Sequence, residues 1–175
     1  MSIDKFTETF RNPARANRFK IDMVLPSFVN VGSASQDIST LCKSTSLPKS
    51  ELGIVEAKHQ GRTFPYPGDR TFAEFTLTFY LEEDMKLRNI FQAWNNAINR
   101  FQTNTSGASI SDIKKDFTLS QLSYSNFSVL KTYKFIKAFP YMISEVPLDM
   151  DSENSISTFD VSFRYDRFSD DASTS

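Results

Sequence analysis

Every second residue from Phe75 to Leu81 is apolar: Phe75, Leu77, Phe79 and Leu81 alternate with Glu74, Thr76, Thr78 and Tyr80. Successive side chains of an extended chain point to opposite sides, so this segment has one face for a dry core and one for water. Such a segment needs partner strands for its backbone and a second layer over its apolar face. The same period returns where Phe19, Ile21, Met23 and Leu25 alternate with Arg18, Lys20, Asp22 and Val24 before Pro26, and where Phe159, Val161, Phe163 and Tyr165 share a face. Shorter extended runs are expected at residues 41–47, stopped by Pro48, and at 53–59, 116–122 and 129–139, with turns at 123–126 and 151–154. The chain has 17 Phe, which suits sheet faces and surfaces that meet partners.

Between these strands the period changes once. Leu87, Ile90, Phe91, Trp94, Ile98 and Phe101 form one stripe of an α-helix, the only helix predicted. Asp84 is its expected N-cap, and Glu82 and Glu83 set negative charge at the positive end of its dipole. Residues 60–70 hold Gly61, Pro65, Pro67 and Gly68 and read as a loop with stiff corners. Residues 27–40 and 102–111 are polar connections. The first fifteen residues are expected to be an arm, since Asn12-Pro13 interrupts any helix begun near Phe6 and Phe10, and residues 169–175 a flexible tail. The chain's 175 residues match about one domain. The expectation is a mainly β domain over residues 16–168: two packed antiparallel sheets, as a sandwich or barrel, with one flanking α-helix.

Chemical motifs are sparse. His59 is the sole histidine and Cys42 the sole cysteine, which excludes an intramolecular disulfide and a cysteine zinc cluster. Asp149, Asp151, Glu153 and Asp160 echo a calcium loop, but Asn154 stands where the turn needs glycine and a strand pattern follows. There is no phosphate-binding glycine motif. No catalytic residue, metal ligand or cofactor is predicted. Lys131, Tyr133, Phe135 and Lys137 share a face as in some single-strand readers, yet the net charge is -1. No stretch suits a secretory signal or a membrane span, so the chain reads as made in the cytoplasm without a membrane anchor. Residues 1–20 hold five basic and two acidic side chains, whereas residues 145–175 hold two and eight. That asymmetry suits either one terminus folding on the other or identical subunits meeting head to tail.

Several segments, taken in order, resemble the tail tube proteins of contractile-tailed bacteriophages. They are Cys42-Lys43-Ser44-Thr45-Ser46-Leu47-Pro48, Gly53-Ile54-Val55-Glu56, Gly68-Asp69-Arg70-Thr71-Phe72 with the strand after it, Phe91-Gln92-Ala93-Trp94, and the run from Leu148 to Phe159. The resemblance implies a fold shared with the tubes of contractile injection and type VI secretion systems. It also implies hexameric rings stacked into a tube whose inner wall is a closed sheet, set in the virion tail after synthesis in the host bacterial cytoplasm. Implied partners are the chain itself, a tail sheath protein, a baseplate tube-initiator and a tape-measure protein, with DNA passing non-specifically through the lumen. Within that reading, Gly53, Ile54, Val55, Phe64, Tyr66, Asp69 and Arg70 are candidate contacts to a neighbouring subunit. Arg11 and Arg15 are candidates for contact across rings, and Glu74, Thr76 and Thr78 for the lumen. A tube-initiating baseplate protein and an injection-system tube are related alternatives; a soluble β-barrel binding a small ligand or nucleic acid is one from another class.

Overall fold

The computed structural model describes residues 3–11, 13–29, 34–153 and 155–170. Its elements are α1 (Ile3–Thr9), β1 (Phe19–Met23), α2 (Ala34–Leu41), β2 (Cys42–Thr45), β3 (Ser50–His59), β4 (Arg62–Phe72), β5 (Phe75–Tyr80), α3 (Lys86–Ile98), α4 (Ile110–Ile113), β6 (Lys115–Leu122), β7 (Val129–Ile143), β8 (Thr158–Arg164) and β9 (Arg167–Asp170).

Strand β7 belongs to two sheets. Its first half pairs with β6 and β9, and β6 with β1; its second half pairs with β8, then β5, then β2, all antiparallel. The bend falls at Lys137, whose φ of 56° lies in the left-handed region that a side chain enters at a cost. The Lys137 N–H donates to Asp116 Oδ1 at 3.0 Å, which secures the bend from the neighbouring strand. A matching corner separates β8 from β9, where the Asp166 N–H donates to the Ile136 carbonyl at 3.1 Å. The two sheets are thus folded over one another, and the expected pair of packed antiparallel sheets is present.

The alternating residues fill the space between. From one sheet come Ile21, Met23, Phe117, Leu119 and Phe135; from the other Phe75, Leu77, Phe79, Phe159, Val161 and Phe163, all buried. Phe135 sits 4.4 Å, centroid to centroid, from both Phe117 and Phe75, close enough for aromatic pairing beyond plain burial. Helix α3 adds Leu87, Ile90, Phe91 and Trp94, and the Trp94 indole donates to the Ile113 carbonyl at 2.9 Å. Its buried polar atom is thereby satisfied.

Several local expectations change. Residues 62–72 form strand β4, not a loop, because β4 pairs only with β3 among the described residues. Pro65 and Pro67 are two apart and share an edge; in a two-stranded ribbon that edge can face away from the partner, where a missing N–H is tolerated. Helix α3 is joined by three short ones: α1, within the expected arm; α2, in the expected polar connection; and α4, overlapping the expected 102–111 loop. Helix α3 starts one residue beyond the expected cap, after Met85, and Asp84 Oδ1 accepts the Lys86 N–H at 3.1 Å. It stops at Ile98 because Asn99 is extended, so Phe101 leaves the stripe and is exposed. Strand β9 carries pairing to Asp170, two residues into the expected tail; residues 171–175 lie outside the described residues.

Because Phe135 touches rings from both sheets, Phe135→Ala should lower stability by about 3–5 kcal/mol, read from urea unfolding. Val129→Ala, at an exposed position of the same strand, should change it by less than about 0.5 kcal/mol.

Candidate assembly surface

The β3–β4 hairpin holds most of the predicted contact residues. Direct cross-strand pairs share a face, so Val55 with Tyr66 and Ala57 with Phe64 build one apolar side, while Ile54 with Pro67 and Glu56 with Pro65 build the other. Leu52, Ile54, Val55, Phe64 and Tyr66 are all exposed, Ile54 to 71%. Two strands alone have no second layer, which leaves both faces of the ribbon in solvent. At the base of the ribbon the strands come unusually close. A Cβ on Gly68 would lie 3.1 Å from the Gly53 backbone, and one on Gly53 would lie 3.1 Å from the Asp69 carbonyl oxygen. A side chain at either place would press on the facing backbone, and this close approach coincides with a register shift between Leu52 and Ile54. Arg70 donates to Ser50 Oγ at 2.7 Å and ties the two strands beside it.

Glu74, Thr76 and Thr78 lie on the face of β5 opposite Phe75, Leu77 and Phe79, and β8 continues that row. Thr78 donates to Asp160 Oδ1 at 2.6 Å, and the Thr76 and Ser162 hydroxyls are 2.9 Å apart. Glu74 accepts a hydrogen bond from the Tyr141 hydroxyl and lies 3.7 Å from Arg164 Nη2. The carboxylate that accepts this bond raises the tyrosine pKa above its ordinary value. The alternation therefore brings the predicted row together, and the cross-strand register supplies Tyr141, Asp160, Ser162 and Arg164, which the β5 pattern alone could not name.

The basic arm is placed differently. Arg11 is exposed, whereas the Arg15 guanidinium sits 3.5 Å from the Tyr124 ring centroid of its own chain, and Arg18 lies 4.4 Å from the Phe127 ring. Both Arg15 and Arg18 are thus engaged by the turn between β6 and β7. The proposed single-strand-reading face is not assembled: Phe135 is buried in the core, and Lys131 pairs with Asp170 at 2.7 Å. Cys42 is buried in β2, while His59 ends β3 at an exposed position, paired with Arg62. In the calcium-like segment, Asp149 Oδ1 accepts the Asp151 N–H and Asp160 is engaged by Thr78. Among the described residues no three His, Cys, Asp or Glu side chains gather as a metal site, and no helix is long and apolar enough to cross a membrane.

Among the described residues this surface has an exposed ribbon and a polar sheet face, with no concentrated chemistry. A family model described as phage tail tube protein matches residues 14–171. The chain belongs to this family. It is 28% identical over 151 residues to the tail tube protein of Serratia phage KSP90, covering 86% of this chain and 85% of that one. It is 26% identical over 168 residues to tail tube protein gp19 of Enterobacteria phage T4, covering 95% and 98%. The fold is also that of a chain in the extended sheath-tube complex of an extracellular contractile injection system, with a TM-score of 0.63, 20% identity and 97% of each chain covered.

Two consequences follow from the local geometry. Gly68→Val should loosen the hairpin by about 1–3 kcal/mol, the usual cost of forced overpacking, and hydrogen exchange should rise in β3 and β4 but not in β7. Burial pushes the Cys42 thiol up to about 12. The native thiol should resist a thiol reagent at pH 8 and react fully in urea. Because its pKa is raised on folding, the associated stability is complete below the unfolded value of about 8.5 and declines as pH climbs toward the folded one.

Proposed function

We propose that this chain is the repeating subunit of a tail tube, six copies closing a ring and rings stacking head to tail. The observation that carries the reading is the β3–β4 ribbon, whose exposed Val55, Phe64 and Tyr66 are covered by no second layer among the described residues. Apolar area of this kind marks a surface that meets another protein. The segment from Gly53 to Asp69 reaches a neighbouring subunit, and the row of Glu74, Thr76 and Thr78 faces the lumen. The basic arm, with Arg11 and Arg15, meets acidic surface across rings.

The role is mechanical and no bond is made or broken by this chain. The tube sits inside a contractile sheath in the virion tail, starts from a baseplate initiator, has its length set by a tape-measure protein, and passes DNA. A conduit must not hold its cargo. Each phosphate contact to Lys or Arg adds affinity through counterion release, and the lumen row sets Glu74 and Asp160 against Arg164, with Lys43 held over the Tyr80 ring at the end of the row.

The purified chain should form rings or hollow tubes of uniform width as concentration rises, seen by negative-stain microscopy with light scattering alongside. Monomers that persist at high concentration with preformed tube ends added would overturn the proposal in favour of a soluble ligand-binding barrel. Tyr66→Asp with Val55→Asp should abolish assembly while leaving the monomer's thermal midpoint nearly unchanged. Raised salt and Arg15→Glu should each shorten tubes before either affects monomer folding; tubes of unchanged length would remove the electrostatic part.

A further inference from the structure

The loop between β7 and β8 is unlike the other connections. It carries Glu145, Asp149, Asp151 and Glu153 with no Lys or Arg, yet Leu148 is 87% exposed and Ile156 71%. Its backbone is nonetheless shaped: the Ser144 N–H donates to the Asp160 carbonyl at 2.8 Å, the Ser152 N–H to the Asp149 carbonyl at 3.3 Å, and the Leu81 N–H to the Ser157 carbonyl at 2.9 Å. These bonds frame a groove of about 620 Å³, with Pro147, Leu148 and Ile156 as its apolar lining and Glu145, Asp149 and Asp160 as its acids. Such a groove fits a segment that offers aromatic rings and positive charge together.

The chain itself has one. On α1 and just after it, Phe6 and Phe10 are four apart, stack at 5.4 Å between centroids, and remain 66% and 56% exposed. Lys5 and Arg11 flank them. An exposed aromatic pair on a helical turn needs a second apolar surface; of the four charges in the segment, Lys5 and Arg11, next in sequence to the two rings, are opposite in sign to the groove, and Asp4 and Glu8 are not.

We propose that α1 of one copy seats Phe6 and Phe10 in the β7–β8 groove of a second copy, with Lys5 and Arg11 toward Glu145 and Asp149. The inference rests on the stacked-ring reading and names the acidic surface that the arm meets. Two different patches of one chain are joined, so the contact is head to tail, and between stacked rings it repeats from each ring to the next.

The test uses the full chain with its buried cysteine removed by Cys42→Ser. Thr9→Cys and Ser155→Cys, exposed positions beside the aromatic anchors and the apolar lining, are introduced together, tubes are assembled and oxidised, and the product is run on a non-reducing gel. A ladder of covalently linked copies is expected from the double variant and not from either single one. Tubes that give no ladder, or only a faster-migrating monomer bridged within itself, overturn the contact. Charge exchange provides the second measurement: Lys5→Glu with Arg11→Glu should abolish elongation, and adding Glu145→Lys with Asp149→Lys should restore it. Tubes that survive the first pair, or fail to return with the second, also overturn it. A wild-type chain that forms no rings removes the stacked-ring reading and this contact with it, whereas rings lacking both ladder and rescue remove this contact alone.

Discussion

The rest of the structure depends on a cluster of phenylalanines held where one long strand changes sheets. Phe135 lies just before the bend at Lys137, packed against Phe117 of its own sheet and Phe75 of the other. Phe117 in turn touches Phe163, which meets Phe91 and Trp94 of α3. The bend alone is unfavourable, since a lysine adopts a backbone conformation its side chain resists. Aromatic burial on both sides, worth roughly 1.5–3 kcal/mol for each such side chain, holds the sheets folded over one another. With the sheets fixed, the outer row of β5 is also fixed, because the alternation that sends Phe75, Leu77 and Phe79 inward sends Thr76 and Thr78 out.

The hairpin is not governed by that core. Its strands satisfy one another's backbone but bury little, so its shape comes from register and from the glycine crossing at Gly53 and Gly68. The domain therefore has two kinds of part: a core with its own driving force, and a ribbon that packs Phe72 on Tyr165 and Phe168 at its base but leaves Ile54, Val55, Phe64 and Tyr66 exposed. A ribbon of this kind can stay in solution until another copy covers it.

Much of this was legible in the amino-acid order. Strands β1, β5 and β8 announced themselves by strict alternation, and the buried stripe of α3 by its spacing, because in both cases a single periodic signal separates core from solvent. The hairpin's second strand was hidden by Pro65 and Pro67, which break most strands and are tolerated here only because the outer edge has no partner. Helices α1, α2 and α4 were hidden by shortness and polarity; Ile38, buried on α2, is too isolated to set a period. The predicted contact residues other than Arg11 and Arg15 fall together on the hairpin because a contiguous segment forms it. The Tyr141 and Arg164 partners of Glu74 were not legible, since they depend on β8 pairing with β5 on one side and β7 on the other, and register across such distances is written in no local pattern.

The outer row also bears on what a conduit wall requires. Hydroxyls and carboxylates facing a bore would normally be free to bond whatever passes. Here Thr76 is engaged with Ser162 and Thr78 with Asp160 on the neighbouring strand, and Glu74 with Arg164 of β8 and Tyr141 of β7 beyond it. A donor already committed to a neighbour has less to offer a phosphate, and the one guanidinium in the row already lies beside a carboxylate. If this face lines the lumen, the same bonds that hold β5 to β8 also make the wall indifferent to its cargo. Stability and low affinity then come from one set of contacts, and replacing any member to strengthen the sheet would have to preserve that mutual satisfaction.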